Sequence, residues 1–124
     1  MALYTPPRTG LPGCLLVEEI ANDLMTDVGG AFYTIRAVLP AMLARRAGTI
    51  LLSGGGLAVD PSPLYLTLSV GKAGLRALAR ALSKDPVLAD IHVAHALLHT
   101  TITPEAGREI AEEFWTLANE APEA

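Results

Sequence analysis

Apolar side chains recur along this chain in two rhythms. Between Ala31 and Arg46, Phe32, Ile35, Val38, Leu39, Met42 and Leu43 fall three or four residues apart, the spacing of one helical face. Arg45 and Arg46 suit the negative end of the helix dipole, and Gly48 is placed to close the helix. Pro40 lies inside the pattern and predicts a kink. A weaker helical pattern (Leu16, Ile20, Leu24) runs from Leu16 to Thr26 with Glu18 and Glu19 near its start, and Gly29 and Gly30 are expected to interrupt it. From Ser69 to Ser83, Ala73, Leu75, Leu78, Ala79 and Leu82 form a packing side while Arg76, Arg80 and Lys84 face out. Pro104 opens a last helix over Glu105 to Asn119, with Ile110, Phe114, Trp115 and Leu117 apolar.

The second rhythm is continuous. Thr49–Ser53 is too brief for a helix and reads as a buried strand, ended by Gly54-Gly55-Gly56. Ile91–Leu98 is a second such run, after Asp85-Pro86 breaks the preceding helix. Strand, helix, strand with these loops predicts a βαβ crossover and therefore parallel strands. The fold class is α/β: a minimal parallel sheet of about two strands flanked by helices. Residues 1–15, with Pro6, Pro7, Gly10, Pro12 and Gly13, read as irregular, residues 16–119 as the folded unit and 120–124 as a tail.

Composition narrows the class of partner. Half of the 124 residues are apolar (51%) and 18% are charged, which excludes a disordered tail. A net charge of −4 argues against nucleic acid or an anionic membrane as the main partner. No apolar run reaches the roughly 18 residues of a membrane span, and Met1–Arg8 lacks the basic-then-apolar pattern of a signal peptide. A single cysteine, Cys14, fits a reducing compartment, so a cytoplasmic location is expected.

Several residue groups invite chemistry. His92, His95 and His99 would share a face on a helix and could hold zinc. On a strand, His92 and His95 point to opposite faces and His95 and His99 stand about 13 Å apart, so no metal is expected. The three glycines after the first strand suggest a phosphate cradle, but Leu57–Pro63 opens no helix behind them. A close backbone approach to something flat, or a simple turn, suits them better. Ser53 lacks the G-x-S-x-G setting of a hydrolase nucleophile. Lys72 is distinctive: it lies early in a helix packed behind the glycine-rich strand end, where packing has no need of an ammonium.

Residues 26–117 resemble the C-terminal half of the short-chain dehydrogenase/reductase family. Asp27-Val-Gly-Gly-Ala-Phe32 occupies the place of its N-x-x-G-x-F motif, and Arg36–Met42 that of a helix ending in Pro-x-Met. Gly48–Gly55 matches the strand that leads to the family's catalytic serine, and Leu68-Ser-Val-Gly-Lys72 its Y-x-x-x-K helix. Ile91-His-Val and Thr101-Ile102 fall on the next strand and its exit. The resemblance implies a Rossmann-like fold and NAD or NADP as hydride carrier.

In that family a tyrosine is the general acid/base, a lysine lowers its pKa and holds the nicotinamide ribose, a serine polarises the carbonyl, and an asparagine joins a proton relay. Carried over residue by residue, the lysine is Lys72 and the asparagine position is Asp27. The tyrosine position is Leu68 and the serine position Gly55, neither of which offers a hydroxyl. Lys72, Ser53 and Gly54 are the positions left to meet a cofactor. The family's N-terminal phosphate-binding turn has no counterpart here, so the chain reads as a family member cut at both ends, with weak or absent cofactor binding and no hydride transfer of its own. The competing expectation is a self-association module, or a truncated product without a selected function. The helices 31–46 and 69–83 match the family's dimer helices, and would pair with a second copy or a full-length relative.

Overall fold

The computed structural model describes Pro6, Arg8 and residues 15–98 and 103–120. Helix α1 (Val17–Leu24) starts where Glu19 turns back to accept a hydrogen bond from the Leu16 N–H at 3.3 Å, answering one of the orphan donors of a helix start. A π-helical turn, Met25–Gly29, then leads directly into α2 (Gly30–Arg45). The expected break at Gly29 and Gly30 is therefore absent. Both glycines hold helical backbone angles (φ −57° and −58°), and Gly29 supplies the space in which the Met25 side chain lies. Glycine permits a break but does not enforce one.

Pro40 sits within α2 without ending it. The close comes two residues earlier than expected, at Arg46, which adopts the left-handed conformation (φ 53°, ψ 37°). The N–H groups of Arg46 and Ala47 bond to the carbonyls of Leu43 and Met42, both at 3.2 Å, the paired bonds of a Schellman turn. Gly48 instead opens strand β1 (Gly48–Gly55), where the Met42 side chain covers it so closely that a Cβ would lie 2.5 Å from its sulfur.

β1 pairs in parallel with β2 (Ile91–Leu98), in register from Gly48 opposite Ile91 to Gly55 opposite Leu98. Helix α3 (Leu66–Ser83) makes the crossover between them. The α/β class and the parallel pair are as the sequence predicts, although β1 and α3 extend beyond the predicted ends. Side-chain alternation gives the sheet two faces. Ile50, Ile91 and Val93 lie on one and form the core with Ile35 of α2, Ala79 of α3 and Leu88. On the other face His92 reaches α4 (Gly107–Asn119), its Nε2 2.8 Å from the Leu117 carbonyl.

Several apolar expectations are only partly met: Leu16 is exposed, as is Ala73 on the expected packing side of α3. Phe32 and Val38 of α2 are exposed, and Trp115 of α4 is 73% exposed, while Ile110, Phe114 and Leu117 are half-buried. Along the outer edge of β1, α2 and the strand frame an open groove lined by Ala31, Thr34, Val38, Thr49 and Leu51. No described helix is long and apolar enough to cross a membrane. Cys14, His99, Thr101 and Ile102 lie outside the described residues.

Candidate functional site

The carboxyl ends of parallel strands are where α/β sheets present chemistry, and here that end is Ser53-Gly54-Gly55. Glycine there lets β1 run into the short 3-10 turn Gly56–Ala58, in keeping with the turn the three glycines suggest, and from it the chain returns to α3. Lys72 lies in the second turn of α3, and its Nζ donates to the Ser53 carbonyl at 3.2 Å. The ammonium thus ties the helix to the strand end. Asp27 lies on the π-helical turn and packs against Gly71, the neighbour of Lys72. A Cβ at 71 would fall 2.5 Å from the Asp27 Cβ and 2.9 Å from its Oδ2.

Leu68, one turn before Lys72, is half-buried and carries no proton to give. Ser69 is buried and engaged: its Oγ accepts from the Ser62 N–H at 3.1 Å and donates to the Ser62 carbonyl at 3.4 Å. Tyr65 immediately precedes α3 and pairs through its backbone with Arg8. Structure thus brings Lys72, Ser53 and Gly54 to one strand end and places Asp27 against the same helix. It gives none of them a hydroxyl or phenol from Gly55 or Leu68.

The three glycines differ from one another. A side chain at Gly56 would meet nothing, and at Gly55 only the Leu98 carbonyl at 3.7 Å, an ordinary contact. Gly54 alone is crowded, because a Cβ there would overlap the Cε1 and Nε2 atoms of His95. The flat group that approaches the backbone is this imidazole. His95 lies on the α3 side of the sheet and His92 on the α4 side, the opposite faces that strand alternation predicts. Burial lowers the His95 pKa, and the positive charges of Arg76 and Lys72 lower it further. Arg76, expected to face out, is half-buried near it. Among the described residues no three His, Cys, Asp or Glu side chains gather as a metal site.

A second cluster went unread in the sequence. The Arg8 guanidinium grips Asp23 with Nε to Oδ2 at 2.9 Å and Nη2 to Oδ1 at 3.0 Å, while Nη1 reaches Glu19 at 3.2 Å. Thr67, at the start of α3, donates to Asp23 Oδ2 at 2.7 Å. Asp23 and Thr67 are both buried. The hydrogen bonds from Arg8 hold the Asp23 carboxyl below the usual carboxylate range, burial opposes this, and Thr67 assists Arg8. Asp23 falls near the end of the helix predicted over Leu16–Thr26, where an acid would oppose the dipole, and that mismatch was the available signal.

No protein-family model matches the chain. It is similar to a 3-oxoacyl-[acyl-carrier-protein] reductase of Bos taurus, 27% identical over 99 residues, which cover 77% of this chain and 42% of the relative. A 3-dehydrosphinganine reductase of Arabidopsis thaliana is 31% identical over 96 residues, 75% of this chain and 29% of that protein. A very-long-chain 3-oxoacyl-CoA reductase of Neurospora crassa is 33% identical over 87 residues, 68% of this chain and 26% of that protein. These similarities support a relation to the short-chain dehydrogenase/reductases. The chain spans less than half the length of the curated relatives it matches.

Proposed function

We propose that this chain is an NAD(P)-linked oxidoreductase by ancestry that does not transfer hydride on its own. The observation that carries the reading is Leu68, one helical turn before Lys72, where the family resemblance requires a proton donor. General acid/base catalysis needs a donor within hydrogen-bond reach of the reacting oxygen, and neither Leu68 nor Gly55 can supply one. The candidate cofactor positions fit a nicotinamide ribose poorly. Lys72 already donates to the Ser53 carbonyl, and the open side of Gly54 is filled by His95. A bound NAD(P) would supply the hydride, and Lys72 and Asp27 would be the only ionisable side chains that the resemblance leaves beside it.

The test is turnover. Excess protein is incubated with NADH or NADPH and a 3-oxoacyl thioester, the substrate kind named for two of the relatives, and nicotinamide absorbance is followed. The reading expects no rate above the protein-free background. Cofactor oxidation that scales with protein concentration overturns it.

One observation favours a second reading, self-association through α2 and α3. Phe32, Tyr33 and Val38 on α2 and Val70 on α3 stand exposed on the two helices that resemble the family's dimer elements. Burying such side chains between two copies removes apolar area from water. Sedimentation at micromolar concentration is expected to give a dimer or larger species, and a stable folded monomer refutes this.

A further inference from the structure

His95 belongs to none of the roles above, yet it is the most constrained ionisable side chain at the strand end. Its ring lies against Gly54, which has room for it only because residue 54 has no side chain. Its Nε2 is buried and has no hydrogen-bond partner among the described residues. The charged groups acting on it are Arg76 and Lys72 of α3, both positive. From β1 it meets Leu52, its register partner, and Gly54, both uncharged. Asp27, the acid packed against α3, sits at Gly71, one residue before Lys72. The ring is thus a half-buried wedge near two cations, with no acceptor for its Nε2 among the described residues.

From this geometry we infer that His95 is an acid-sensitive latch on the carboxyl end of β1. While neutral it fills the slot over Gly54 and holds the segment Ser53–Gly55 in place. Ser53 provides the carbonyl that anchors Lys72, so the latch governs that anchor as well. When the ring gains a proton from solvent, an imidazolium stands half-buried facing two like charges, with no acceptor for its buried Nε2 among the described residues. That state is disfavoured on both counts. The ring leaves the slot for water, the strand end loosens, and the tie between Lys72 and Ser53 is released.

The sign of the linkage follows from the direction of the shift. A histidine whose folded pKa is depressed adds stability that is complete above its ordinary value, near 6.5. That stability is lost as pH falls through the ordinary value toward the lower, folded one. The strand end therefore opens on mild acidification, before the carboxylates titrate.

The experiment is NMR on the whole chain between pH 7.5 and 5. It follows the ring protons of His95 and the hydrogen-exchange protection of the β1 and β2 amides near residues 52–55 and 95–98, each corrected for intrinsic exchange. In the wild-type protein His95 is expected to titrate below its ordinary value, with a fall of at least about tenfold in strand-end protection over the same pH range. In His95→Leu, which fills the slot without titrating, that protection is expected to stay flat. If His95 titrates at or above its ordinary value, or if strand-end protection in the wild type is unchanged across its titration, the latch is refuted. An equal fall in His95→Leu also refutes it. Should that variant not fold, the wild-type titration alone decides between these outcomes.

Discussion

Thr67→Val exchanges a hydroxyl for a methyl group in the buried Asp23 cluster and leaves the side chain's shape intact. Its hydroxyl donates to Asp23 Oδ2 at 2.7 Å, and both residues are buried, at 5% and 4% exposure. A hydrogen bond to a charged group contributes about 1.5–3 kcal/mol, more than a neutral one. Asp23 keeps both bonds from Arg8 in the variant, so the loss is expected near the middle of that range, about 2 kcal/mol. For a chain of this length that corresponds to a fall in Tm of about 6–10 °C. Urea unfolding followed by circular dichroism reads it as a lower midpoint with an unchanged slope. A change within about 0.5 kcal/mol of zero, the size typical of surface substitutions, would refute the reasoning, because Thr67 would then not be joined to a desolvated carboxylate.

The same cluster sets the acid limit of stability: the Asp23 carboxyl is held below its ordinary value, chiefly by hydrogen bonds from Arg8, so its contribution is present above that value and lost as pH falls through the lowered one. In Asp23→Asn the acid-induced loss between pH 5 and pH 2 is expected to shrink, as pH-dependent unfolding will show. Gly54→Ala is expected to destabilise by about 1–3 kcal/mol through overlap with the His95 ring, and His95→Ala in the same chain to recover much of that loss; additive effects of the two changes would rule out the contact. Gly71→Ala, which drives a methyl group into Asp27, is expected to cost a similar amount by thermal unfolding, whereas Gly55→Ser, facing only the Leu98 carbonyl, stays within about 1 kcal/mol of wild type.

Periodicity carried the order of elements, the parallel pairing and the helical flanks, because each depends on local spacing. It failed where a residue's environment is set from a distance. Gly29 and Gly30 read as a break, yet a continuous helical backbone passes through them, with the Met25 side chain packed into the space that Gly29 leaves. Arg46 takes the left-handed cap that Gly48 was expected to provide, and Gly48 is needed instead to clear Met42. At the candidate site, Lys72 was legible from its place behind the strand end. The steric match between Gly54 and His95 was not, since it appears only once the strand register places Leu52 beside His95. Asp23 meets Arg8 and Thr67 across 15 and 44 residues of chain, a separation that no local pattern encodes.

The proposed function leaves this strand end with a lysine and without a seat for a nicotinamide cofactor. It is tested most directly by titrating the protein with NADH and with NADPH and following nicotinamide fluorescence to saturation. No binding tighter than millimolar is expected for either cofactor, with Lys72→Met indistinguishable from the wild type. Saturable micromolar binding that Lys72→Met abolishes would contradict it.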